Sequence, residues 1–154
     1  MAKESQTEFR PLSEHTIQLL ARLQAGETVW LKASGESMSP LIQGGDVLEV
    51  IPSLRIEPGM IVLVNTPWGV RCHRVMSVEG GQITLRGDSL HSEEKVLREQ
   101  VLGEVRTVWR GKRYFSPTGG RWWFYGLLHT HAPRFMHGLR KVWRWSRRQK
   151  RQKV

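Results

Sequence analysis

Gly35-Glu36-Ser37-Met38-Ser39-Pro40-Leu41, then Gly45-Asp46 and Val47-Leu48-Glu49-Val50-Ile51, is the stretch from which this 154-residue chain is best read. Its last five residues have the apolar, partly alternating character of a β-strand. Gly35 and Pro40 bracket a tight bend that holds the Ser37 hydroxyl outward, away from any helix or strand ladder. A serine hydroxyl is a weak nucleophile at neutral pH unless a base lies within hydrogen-bond reach. Ser37 is therefore either an ordinary turn serine, of which loops hold many, or half of a catalytic pair whose base lies elsewhere in the chain.

Working outward, residues 12–24 read as a short amphipathic helix. Ser13 is its N-cap, Ile17, Leu20 and Leu23 (with Leu19) form its apolar face, and Gly26 ends it. Strands are expected at 28–32, 46–51 and 60–64, with turns at Pro52 and Glu57-Pro58-Gly59. Trp68-Gly69 marks another turn before the alternating run Val70 to Val78. Gly80-Gly81 then joins that run to Gln82–Arg86 as a hairpin. Residues 91–99 are polar and read as a loop, while Val101–Trp109 and Lys112–Phe115, linked at Gly111, form a last hairpin. Many short strands at close spacing predict a mainly β fold, a small antiparallel barrel or sandwich behind a short N-terminal helix.

Composition fits one turn-rich domain, with 15 glycines and 7 prolines. The single Cys72 excludes a disulfide framework within the chain and an all-cysteine zinc site. No apolar run approaches the roughly 20 residues of a membrane-spanning helix. Residues 1–9 are polar and do not read as a signal peptide, so the expected location is the cytoplasm or the face of a membrane. Charge divides the chain in two. Residues 1–120 hold 14 basic and 14 acidic residues, so the net charge of +10 belongs entirely to residues 121–154. The expected organisation is a β catalytic domain over 1–120 and a cationic, Trp-rich helical tail over 121–154.

Six histidines could supply the base. His15 is on the predicted helix, His91 in a loop, and His129, His131 and His137 in the tail. His73 alone sits within a predicted strand, Arg71-Cys72-His73-Arg74-Val75, whose hairpin partner leads to Asp88. By itself it reads as a strand histidine bonded to a backbone carbonyl. With Ser37 and Asp88 it reads as a nucleophile, a base and an orienting carboxylate, a triad defined by roles and not by chain order.

Taken in order, Gly35-x-Ser37-Met38-x-Pro40, Gly45-Asp46, His73-Arg74-Val75 and Gly87-Asp88-Ser89 resemble the boxes of the type I signal peptidase family. That family belongs to the S24/S26-like serine peptidase superfamily, which also holds the self-cleaving SOS-type repressors. The resemblance spans roughly residues 28–108 and implies that Ser37 is the nucleophile and position 73 the base. Histidine at position 73 is similar to the endoplasmic-reticulum and archaeal branch, where bacterial enzymes carry lysine. The resemblance further implies that Asp88 supports the base, that Met38 and Pro40 contact substrate, and that Val101-Leu102-Gly103-Glu104-Val105 closes the β fold. Gly35 stands where bacterial members often carry a hydroxyl donor, which leaves the oxyanion to backbone N–H groups, that of Ser37 foremost. The branch's second downstream aspartate has no clear counterpart, and Glu93 or Glu94 could stand in. Glu36 and Asp46 read as a solvated turn acid and a turn-capping aspartate. No metal and no cofactor is implied.

The tail interleaves ten basic residues with Trp122, Trp123, Phe124, Tyr125, Phe135, Trp143 and Trp145, and Pro133 divides it into two helix-like segments. Phe135, Met136, Leu139, Val142 and Trp143 make an apolar stripe against a basic face, the composition of a helix lying on anionic lipid. Two other readings stay open: packing of the stripe on the β body, and nucleic acid, which is the less favoured polyanion. The expected function is a serine endopeptidase that removes a leader, signal or propeptide. The alternatives are a self-cleaving regulator, with Ala25-Gly26 as its site, and a non-catalytic binding adaptor.

Overall fold

A computed structural model of the chain describes residues 14–119 together with Trp122, Tyr125 and Leu128. Helix α1 spans Glu14–Gln24, and the strands are β1 (Val29–Lys32), β2 (Val47–Ile51), β3 (Ile61–Thr66), β4 (Gly69–Glu79), β5 (Gln82–Arg86), β6 (Glu93–Leu97), β7 (Val101–Arg110) and β8 (Arg113–Phe115). Together the eight strands curl into an antiparallel half-barrel. The sequence expectation of a mainly β, antiparallel fold with one short helix holds. Ser13 and the tail's second helix-like segment, after Pro133, lie outside the described residues, as does most of the first.

Gly26 stops α1 as its position predicts. At φ +84° it lets Glu27 N–H reach Arg22 O and Gly26 N–H reach Leu23 O, the paired bonds of a Schellman cap. The face that packs is set by Leu19 and Leu23, one turn apart, whereas Ile17 is 54% exposed.

Strand order is β1-β2-β7-β3-β4-β5-β6, with β8 beside the far end of β7. One edge of β7 carries β2, and its other edge carries β3 and then β8. β7 thus joins the N-terminal strand pair to the β3–β6 meander. That crossing brings backbones very close. A Cβ on Gly103 would lie 2.6 Å from Ile51 O and 2.8 Å from Val50 Cγ1, so only glycine fits there. β3 is buried on both faces. Ile61 and Leu63 join one apolar cluster with Met38, Leu41, Leu48 and Val105, while Val62 and Val64 join a second with Val75, Ile83, Leu85 and Val96. Alternation along one strand therefore builds both cores. Truncating a fully buried leucine such as Leu48 or Leu63 to alanine would cost about 2–5 kcal/mol.

The expectation of a loop over 91–99 is corrected. Glu93–Leu97 is strand β6, paired along its length with β5, and Arg98–Gln100 is a short 3₁₀ turn. As an edge strand β6 buries only Val96 deeply, so its polar sequence hid it.

The candidate active site

Ser37 stands in the loop between β1 and β2, half-buried, two residues after Gly35 at φ +81°. Both ends of that loop are tied down. Arg110, at the end of β7, donates from Nε and Nη2 to the two Asp46 carboxylate oxygens at 2.8 and 2.6 Å and also to Leu41 O. Asp46 caps the turn by accepting Gln43 N–H at 2.9 Å, as its sequence context indicated. Burial alone would raise the Asp46 carboxyl, but the Arg110 hydrogen bonds, the Gln43 N–H and the Arg110 charge together hold it below its ordinary value.

At the Ser37 end the loop rests on the Gly87-Asp88-Ser89 turn. Ser89 N–H donates to Ser37 O at 2.8 Å, Ser89 Oγ donates to Glu36 O at 2.7 Å, and Asp88 N–H points at Met38 Sδ. Gly87 makes this seat possible, because a Cβ there would stand 2.7 Å from Ser37 O.

His73 lies on β4, buried to 3% exposure, with Nδ1 2.6 Å from Glu94 Oε1 on β6. If Nδ1 donates to that carboxylate, Nε2 keeps a lone pair, the arrangement a general base requires. Glu94 thus occupies the place that sequence reasoning gave chiefly to Asp88.

Asp88 is engaged differently. Its two oxygens accept from Arg74 Nε and Nη2, both at 2.8 Å, and Arg74 also donates to Gly59 O. Arg74 and Asp88 are 0% and 1% exposed. Burial opposes the Arg74 charge, but Asp88 more than offsets it and holds the guanidinium firmly protonated. The neighbouring Cys72 thiol is pushed up to about 12, first by burial and then by the Asp88 charge, with Arg74 partly opposing, so it is a poor nucleophile.

Ser37, Met38, Cys72 and His73 share one pocket of about 590 Å³ with apolar walls that include Leu19, Leu31, Ile42 and Val70. Met38 is 3% exposed, part of the apolar core, and also lines the pocket. Pro40 is not part of that lining. It belongs to the turn, where Ser39–Pro40 is cis and Pro40 O accepts Gln43 Nε2. Among the described residues no hydrogen bond joins Ser37 Oγ to the His73 ring, and none uses the Ser37 N–H.

Beyond the sheet, Trp122 stacks on Phe115 with centroids 5.1 Å apart. Tyr125 meets Trp122 edge-on and lies 5.8 Å from the Arg74 guanidinium. The first turn of the tail thus packs on the body across the boundary expected at residue 120. No helix among the described residues is long and apolar enough to cross a membrane.

A search of curated proteins gives no significant match. A model of the Peptidase S24-like family matches residues 1–106, which takes in the serine loop, His73, Glu94 and the Gly-Asp-Ser turn. This agrees with the superfamily to which the ordered boxes pointed, and the chain belongs to the Peptidase S24-like family.

Proposed function

We propose that the protein is a serine endopeptidase with Ser37 as nucleophile and His73 as base, of the histidine type, and with Glu94 orienting the imidazole. The observation that carries this reading is a single pocket lined by Ser37 and by a histidine whose far nitrogen is held 2.6 Å from a carboxylate. Ser37 Oγ gives its proton to His73 Nε2 as it attacks the scissile carbonyl carbon, and Glu94 stabilises the imidazolium that results. The carbonyl oxygen takes up the negative charge and accepts the Ser37 N–H, which has no partner among the described residues. The same imidazolium then protonates the departing amine, and water repeats the sequence to release the acyl group.

Strand geometry supports an extended substrate. β1 is paired on one side only, by β2, and β5 covers β4 only from Arg74 onward, so residues 69–73 keep a free edge. A peptide laid between these edges gains backbone hydrogen bonds on either side of Ser37. Such a substrate suits the removal of a leader, signal or propeptide from a precursor. Self-cleavage at Ala25–Gly26 is less favoured by the structure, because that bond is held in the Schellman cap of α1 and neither residue lines the pocket. A binding adaptor without activity would leave Ser37 unreactive.

The test is cleavage of a degenerate peptide mixture read by mass spectrometry, together with labelling by a fluorophosphonate. Ser37→Ala and His73→Ala should each lower cleavage by roughly 10⁴–10⁶-fold while circular dichroism stays native. Undiminished cleavage in His73→Ala would refute the assignment.

A further inference from the structure

We propose that the cleft selects extended peptides carrying acidic residues beside the apolar residue at the cleavage point, with Lys32 and Arg71 as the selecting side chains. The proposal rests on the peptidase reading and adds its substrate class. Among the described residues, those lining the cleft include His15, Lys32, Arg71 and His73 and no aspartate or glutamate. In a body whose 14 bases are matched by 14 acids, a wall bearing only basic groups is a local concentration of positive field.

The two cations stand on opposite walls, Lys32 at the end of β1 and Arg71 on the free-edged half of β4, and both are exposed. Arg22, Arg55, Arg74, Arg86 and Arg110 each have a carboxylate partner. Lys32 and Arg71, the two basic chains facing the cleft besides its histidines, have none among the described residues, like Lys95, Arg98, Arg106, Lys112 and Arg113. Glu36 and Glu94, the acids next to Ser37 and His73, are turned to the Gly44 N–H and to the His73 ring. Arg71 is also held in place, its guanidinium 5.4 Å from the centroid of Trp68. A guanidinium lying over an aromatic ring still has N–H groups to offer, and its fork can grip a carboxylate with two hydrogen bonds. Between the walls the floor is apolar, with Leu31, Ala33, Met38 and Val70. A peptide matching this surface has an apolar residue over the floor and acids along its flanks.

The experiment uses full-length Ser37→Ala protein and three labelled peptides that share an apolar centre and differ only in Glu, Gln or Lys flanks. Fluorescence polarisation should rank them Glu, Gln, Lys, each acid adding about 2–5-fold at low salt and less as salt rises. Adding Lys32→Glu and Arg71→Glu should reverse that order, and Arg71→Gln alone should remove part of it. The tail attracts acidic peptides equally in all these proteins, so only the change between them reports the cleft. An unchanged Glu-over-Lys ratio after charge reversal would overturn the proposal. With Ser37 restored, cleaved sites from a degenerate mixture should be enriched in Asp and Glu, and absence of enrichment among efficient cleavages would also overturn it. Charge-dependent binding with no cleavage by the Ser37 protein would instead remove the peptidase reading and leave the acid-selective groove standing.

Discussion

Residues 73 and 74 are neighbours on β4, and each holds a carboxylate, yet the two pairs have opposite characters. Arg74–Asp88 is sealed, with two parallel hydrogen bonds at 2.8 Å and almost no exposure on either side. His73–Glu94 is a single 2.6 Å contact in which Glu94 keeps 21% of its side-chain surface and the imidazole borders the pocket. Alternation along a strand sends adjacent side chains to opposite faces, so one carboxylate can be structural and the other functional within the space of two residues. The lesson is that the acid that sequence order sets beside a histidine need not be the acid that meets it.

Substitution at the two carboxylates should break this comparison most sharply. Glu94→Gln keeps the size of the side chain and removes the charge that fixes the imidazole tautomer, so kcat should fall by roughly 10²–10⁴-fold with little change in Tm. Asp88→Asn should act the other way. It leaves a buried guanidinium without a counter-charge, at a cost of about 3–5 kcal/mol of stability, visible as an early denaturant midpoint. If Asp88→Asn proved stable and inactive while Glu94→Gln cleaved normally, the two roles would have to be exchanged.

Why the sequence pointed to Asp88 follows from register. An unbulged hairpin through Gly80-Gly81 would set His73 opposite Asp88. The observed pairs are Glu79↔Gln82, Ser77↔Thr84, Val75↔Leu85 and Arg74↔Arg86, so Met76 is an extra residue on β4. This one-residue slip puts Asp88 in phase with Arg74 and away from His73. No residue type at 75–77 announces the bulge. Glu94 reads from sequence only as one of two stand-ins for a downstream acid, and not as the partner of His73, for a related reason. Glu93-Glu94-Lys95-Val96-Leu97 carries too little apolar pattern to declare a strand, although an edge strand needs little. The rest was legible because the remaining strands alternate or are bounded by glycine turns, and because Gly35, Gly87 and Gly103 each mark a real backbone need.

The tail provides a weaker contrast, between residues that pack on the body and those beyond them. Trp122 and Tyr125 belong with Phe115 and the first core, so the tail is best cut after Leu128. Nine of the tail's ten basic residues lie past that point. If they hold the protein to anionic lipid, each contributes on the order of 1 kcal/mol near the surface. Truncation after Leu128 should then abolish sedimentation with phosphatidylserine vesicles and leave peptide cleavage intact. A full chain that ignores vesicles but shifts nucleic acid, with a steep salt dependence, would assign the tail to the other polyanion.

A third ion pair gives the finest test of the comparison, because it is the most exposed of the three. Asp46 is 4% exposed and its partner Arg110 is 41% exposed, and together they tie the far end of the serine loop to β7. The Asp46 carboxyl is held below its ordinary 3.8 in the folded protein, so its contribution is complete above that value and fades as pH falls through the lower folded one. Water around Arg110 limits that contribution to a few tenths up to about 1 kcal/mol. Asp46→Asn should therefore lower Tm slightly at pH 7 and flatten the acid side of the stability curve. A loop that loosened only as pH falls below 3.8, seen as faster proteolysis near Gln43 with the β core intact, would place the weak point of the site at this third pair. Simultaneous loss of loop and core would mean instead that all three pairs fail as one unit.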